Sequence, residues 1–186
     1  MGWELNNARL EGANLERAHL GNATVQRAYL ANANLEHIDA RLGNLMGADL
    51  SNASLNGANL VHGNLLRVNL TESVMRDADL YKADLRGARM IDMDAESSIF
   101  TEARLSEING LRANFRNADL QNADLYEAFL KDADLRGADL RNADLRWSDL
   151  RGAKLHDANL DGAYFNGFTV WPDGFDPLKA GAFEQN

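Results

Sequence analysis

From Leu5 onward, a large apolar residue returns every fifth position, and the residue two places before it is small. Ala113–Phe165 shows the rule most clearly: ANFRN ADLQN ADLYE AFLKD ADLRG ADLRN ADLRW SDLRG AKLHD ANLDG AYF. A period of five suits neither a helix, which returns a face every 3.6 residues, nor a strand, which alternates. The chain must therefore turn a corner once in every repeat. With the apolar centre as position i, i−2 and i face inward along a short extended segment, while i−1, i+1 and i+2 face out or form the corner.

The frame extends without a slip from Leu5 to Val170, giving 34 repeats, of which 24 have Leu at the centre and 23 have Ala at i−2. Inward sites thus alternate large and small, which lets opposing walls approach. Gly recurs at i+2, from Gly12 to Gly162, where a tight corner favours positive φ. Asn and Asp crowd i−1 and i+2, where their side chains can satisfy corner backbone groups. At Ala40, Ala95 and Gly110 the centre shrinks, and the i−2 residue grows to Ile38, Met93 and Ile108. Interior volume is moved, not lost, as close packing demands.

The pattern A(D/N)LXX, in phase over nearly all of the chain, resembles the pentapeptide repeat family. That resemblance implies an all-β fold: a right-handed quadrilateral β-helix, a β-solenoid of about eight coils with four pentapeptides in each. Residues twenty apart then stack, so Met75, Ala95 and Phe115 share one column. At roughly 4.8 Å per coil, the rod is roughly 40 Å long. Residues 1–170 are assigned to the solenoid and 171–186 to a C-terminal cap or tail. Phe168, Val170, Trp171 and Phe175 are expected to cover the C-terminal end, with Pro172 and Pro177 halting pairing. The segment 91–110 is the best candidate for a bulge or looped-out coil. The N-terminal end has only Met1 to Leu5 to cover it, with Trp3 enlarged at an i−2 site, and is expected to offer a stacking surface for an end-to-end homodimer.

Composition narrows the chemistry. The chain of 186 residues has no cysteine, which removes disulfides, thiolate nucleophiles and cysteine metal sites. No apolar run reaches the ~20 residues of a membrane span, and the first residues lack a basic leader, so a cytoplasmic location without membrane contact is expected. Net charge is −9, with the acids spread along the chain, so no basic stripe invites nucleic acid. His19, His37, His62 and His156 sit at outward positions without convergence, and the acidic stretch 91–110 comes with no nucleophile or cofactor motif. No catalytic, cofactor or metal residues are assigned, and the chain is expected not to be an enzyme. On 133–152, Arg136, Arg141, Arg146 and Arg151 at i+1 alternate with Asp134, Asp139, Asp144 and Asp149 at i−1, a self-paired belt.

Outward apolar residues supply the one candidate site. Tyr126 and Trp147 fall on one side, Phe129 around the adjoining corner, and Leu111 one turn below Lys131. Outward aromatics gathered at one edge mark protein interfaces. The expected function is a non-enzymatic protein-interaction module. The alternative comes from the family resemblance: some of its members resemble DNA in shape and charge and bind DNA gyrase, protecting or inhibiting it. Those proteins carry a strongly acidic rod and pair through a C-terminal element, whereas this chain has an arginine belt and a tail that reads as a local cap.

Overall fold

The computed structural model describes residues 2–185, so the part of the N-terminal expectation that falls on Met1 lies outside the described residues. A single repeat, Ala118–Asp119–Leu120–Gln121–Asn122, shows how the wall is built: Ala118 is its small inward site, Leu120 its large centre, and each of its five backbone amides has an acceptor. The Ala118 amide donates to Phe115 O across the preceding corner at 3.1 Å, and Asp119 N to Ser98 O of the preceding coil at 3.0 Å. Leu120 N and Asn122 N donate to the following coil, to Asp139 O at 2.8 Å and Arg141 O at 2.9 Å. That leaves Gln121 N at the corner, which donates to Asp119 Oδ1 at 3.0 Å. The i−1 Asp or Asn therefore supplies the one acceptor that the backbone does not, which is why the repeat needs it. The same bond recurs at Glu36–Asn34, Ser51–Asp49, Tyr81–Asp79 and Arg146–Asp144, among others.

The corner is a four-residue turn from i to the next i−2, with its third residue in the left-handed region. Gly87 (φ 65°) and Gly137 (φ 68°) occupy that site as the sequence leads one to expect, but most corners hold other residues there, among them Asn117 (φ 54°), Leu42 (φ 58°) and Trp147 (φ 63°). Positive φ at that position is the signature of a type II turn.

From Glu4↔Thr24 to Asp144↔Tyr164, every parallel bridge links residues twenty apart, and four successive bridging columns complete each turn of a repeat solenoid. The bridges are single residues at i−1, because the corners take up the rest of each repeat. Named strands are confined, among the described residues, to β1 (Tyr164–Phe165) and β2 (Phe183–Glu184), which pair in parallel. The core is a stack of Leu and Ala from Leu20 to Ala163, and the bridges Val74↔Asp94↔Asn114 place Met75, Ala95 and Phe115 in one column. Ile38, Met93 and Ile108 are all buried, so the volume swaps occur as read. Where Ser replaces Ala at i−2, its hydroxyl is tied off within the wall: Ser73 Oγ donates to Leu70 O at 2.8 Å and Ser148 Oγ to Leu145 O at 2.7 Å.

Two expectations are corrected. Residues 91–110 neither bulge nor loop out, since Asp94, Ile99, Arg104 and Asn109 keep the twenty-residue register; the buried Met93 and Ile108 fill the space that small centres leave. The frame does not reach Val170 intact. Asp149 pairs with Val170, twenty-one residues on, because Asn166, Gly167 and Phe168 form a corner one residue longer than the others. The slip puts Thr169 in the buried i−2 site, where its hydroxyl donates to Leu145 O at 2.9 Å. It also turns Phe168 and Val170 outward, 61% and 43% exposed, instead of over the core. Trp171 takes the next inward place, edge-on to Phe165 at 5.6 Å and stacked with Phe175 at 5.3 Å, so these rings cover the C-terminal end.

Candidate protein-interaction surface

The four residues singled out in the sequence lie along one side of the solenoid and its corners. Phe129 stands in the column Asn109↔Phe129↔Asp149↔Val170, half-buried, its amide donating to Ile108 O at 2.9 Å. The corner just before that side carries Tyr126 and, one coil on, Trp147. Leu111 sits at the far corner of the same side, half-buried, and its amide donates to Asn109 Oδ1 at 3.3 Å. Tyr126, Phe129 and Trp147 thus share a corner, whereas Leu111 is separated from them by the width of the side.

Electrostatics differ across this corner. Partial burial, followed by a hydrogen bond with Glu127, pushes the Tyr126 hydroxyl above the ordinary tyrosine value. On the next coil, Arg146 is forked onto Asp144, with Nε donating to Oδ1 at 2.8 Å and Nη2 to Oδ2 at 2.5 Å. The same fork joins Arg136 to Asp134, Arg141 to Asp139 and Arg151 to Asp149. Hydrogen bonding from each arginine holds Asp134, Asp139 and Asp149 below the usual carboxylate range. The belt is therefore paired within itself, repeat by repeat.

Trp147 has a partner that the sequence frame concealed. Its ring stacks on Phe168, centroids 3.9 Å apart and planes 7° from parallel, and its amide donates to Asn166 Oδ1 at 3.2 Å. Both residues remain exposed, at 44% and 61%. Val170 continues the patch onto the side that holds Phe129. The signal in the sequence was Phe168 itself, a bulky group at a site where most repeats have Ala; only the one-residue slip shows that it points out. Among the described residues, no cluster of His, Asp and Glu is arranged to hold a metal ion.

A family model for pentapeptide repeats matches residues 4–39, 26–60, 53–92, 100–132 and 128–167. The chain belongs to the pentapeptide repeat family. The gap in the match, between 92 and 100, falls where Met93 and Ala95 exchange the usual large and small sites, although the wall there is regular. Among solved structures it is similar to the pentapeptide repeat protein alr5209 of Nostoc, at 37% identity and a TM-score of 0.54, over 55% of this chain and 84% of that one. QnrB1, a plasmid-mediated fluoroquinolone resistance protein, shares the fold at 17% identity and a TM-score of 0.52, over 88% of this chain and 87% of that one. HetL, involved in heterocyst differentiation regulation in Nostoc, matches at 27% identity and a TM-score of 0.42, over 87% and 86%. A search of the curated proteins gave no match. Pentapeptide repeat proteins are in general structural or interaction modules.

Proposed function

We propose that the protein is a non-enzymatic interaction module, a rod of about eight right-handed coils that binds a protein partner through the corner bearing Tyr126, Phe129, Trp147 and Phe168, with Leu111 at the margin. One observation carries the reading: Trp147 and Phe168 are stacked face to face on the surface, preorganised and still exposed. Rigid, amphipathic aromatic rings give contact area at small entropic cost, and tryptophan and tyrosine dominate binding energy at interfaces. The rod positions them without moving parts. The gyrase reading calls for an unbroken acidic surface, and the arginine forks on 133–152 interrupt one.

The test compares proteins captured from the native host by the parent chain with those captured by a variant carrying Phe129→Asn, Trp147→Asn and Phe168→Ala. Asparagine suits both the i−1 site and the left-handed corner, so the variant should keep its thermal midpoint within a few degrees. Partners held by the parent and lost by the variant are the expected result. Identical captures by two equally folded proteins would overturn the assignment, and inhibition of gyrase supercoiling by both proteins would favour the alternative.

A further inference from the structure

The two ends of the rod differ. At the C-terminal end Trp171 and Phe175 lie over the last coil, whereas at the N-terminal end a cavity of about 420 Å³ opens between Trp3, Leu5, Leu10, Leu15 and Ala18. Trp3 is 65% exposed, although it occupies an inward i−2 site. The backbone edge is open as well. Each coil receives amides from the coil below at its i−1 carbonyls, as Leu5 N donates to Thr24 O, and sends its i−1 amides down, as Thr24 N donates to Trp3 O. Among the described residues, Glu4, Arg9, Asn14 and His19 use neither group in this way. Each of the four sides thus ends in a residue offering one donor and one acceptor, the requirement for a reciprocal, antiparallel pair.

We propose that this end binds a second copy of the chain, N-terminus to N-terminus, about a two-fold axis. Turning one rod end over end onto another makes the facing strands antiparallel, so two i−1 residues can exchange both hydrogen bonds. An isologous contact of this kind closes on itself and stops at a dimer. The edge itself selects among the four ways of setting one square end on the other. Because the chain climbs about 4.8 Å in each coil, Glu4 stands lowest and His19 about 3.6 Å higher, three sides further on. Only the diagonal axis through the corner between the fourth side and the first sets low against high throughout. That axis places Glu4 against His19 of the second copy, twice, and Arg9 against Asn14, twice; each of the other three axes leaves the sides at unequal separations.

Side chains agree with this register. Antiparallel facing brings Leu5 over Ala18, Leu10 over Ala13 and Leu15 over Ala8 of the other copy, which repeats across the interface the large-and-small alternation of the interior. The exposed Trp3 comes to lie over Leu20, closing the cavity. At the corners Asn6 faces Arg17, Asn7 faces Glu16 and Glu11 faces Gly12, so no like charges meet. Arg9 is available to reach Asn14: its side chain is 82% exposed, with its guanidinium 3.5 Å from Glu11 and 5.8 Å from the Tyr29 ring centroid.

Sedimentation velocity on the full chain, over a wide concentration range, tests the association. The parent should sediment as a dimer that dissociates on dilution, and Trp3→Asp, a change to an exposed side chain, should weaken the dimer at least tenfold. Circular dichroism of the variant shows whether the rod is still folded. A monomer at every concentration, or a dimer indifferent to Trp3→Asp, would overturn the proposal. The register is read separately, since a chain without cysteine allows introduced thiols to report alone. Facing residues of an antiparallel pair lie within disulfide reach. Glu4→Cys combined with His19→Cys should therefore give a disulfide-linked dimer on a non-reducing gel. Glu4→Cys alone, and Glu4→Cys combined with Arg9→Cys, should stay monomeric there. Cross-linking in either control, or none in the first variant, would overturn the register. Loss of the aromatic-corner partner in the Phe129, Trp147 and Phe168 variant concerns the opposite half of the rod and leaves these results untouched.

Discussion

Gly87→Ala and Gly137→Ala separate two reasons for glycine at a corner. Both residues hold left-handed backbone, at φ 65° and 68°. A Cβ built on Gly87 would meet nothing nearer than Arg67 Cγ at 3.5 Å, an ordinary contact. Its replacement should therefore cost only the left-handed penalty of an L-residue, about 1 kcal/mol. A Cβ on Gly137 would fall closer than 3.0 Å to Asn117 Oδ1, the tip of the side chain one coil below. The carboxamide must swing away from its rotamer, adding about 0.5–1.5 kcal/mol, for a total near 2 kcal/mol. Urea unfolding midpoints at unchanged m-value measure both losses. In an Asn117→Ala background the excess at 137 should vanish, leaving Gly137→Ala no worse than Gly87→Ala. Equal losses in the parent chain, or an excess that survives removal of the Asn117 side chain, would refute the steric account.

Two further outcomes follow from the corner hydrogen bonds. Asp119→Ala strips the acceptor from Gln121 N and should cost about 1 kcal/mol, while Asp119→Asn keeps an oxygen in place and should stay within about 0.5 kcal/mol, as urea midpoints would show. Because arginine bonding lowers the folded-state values of Asp134, Asp139 and Asp149, their contribution is complete above the unfolded carboxylate value near pH 4 and is lost as pH falls through the folded values. Thermal midpoints should therefore drop below about pH 4. The drop should be shallower when all three are changed to Asn, and an unchanged slope would contradict the assignment.

The interior was legible in the sequence because one rule governs it. Leu120 and Ala118 need no neighbour's identity to be assigned inward, and even the exchanges at Ile38, Met93 and Ile108 announce themselves by size. The C-terminal slip was not legible, because Val170 is apolar and falls in frame while the extra residue hides in an Asn-Gly corner. Nor does periodicity show that each side bridges through a single residue, since that follows from how the two corner residues and their hydrogen bonds divide the repeat. The candidate surface was legible in part. Tyr126, Phe129 and Trp147 could be placed from a twenty-residue register, but Phe168 depended on the slip, and Leu111 shares a side with the others without touching their corner.

The exterior obeys weaker rules, and that is where its exceptions gain meaning. Folding asks for Asp or Asn at i−1, to hold the corner amide, and tolerates Asn or Gly best in the left-handed place. Phe129 breaks the first rule: among the described residues, the Lys131 amide has no counterpart to the acceptor that Asp119 gives Gln121. Trp147 breaks the second, placing a bulky ring on left-handed backbone at φ 63°. Tyr29, Val74, Ile99 and Tyr164 break the i−1 rule as well, Tyr29 in the Phe129 column but five coils away and the others on other columns. Around the corner that Phe129 and Trp147 share, a phenylalanine at i−1 and a tryptophan on left-handed backbone meet, and they are joined there by Tyr126 and by Phe168 stacked on Trp147. Neither departure improves the packing of the interior, which is complete without them. Side chains that work against the local requirements of the fold, gathered at one exposed place, are what supports the binding site proposed for this corner.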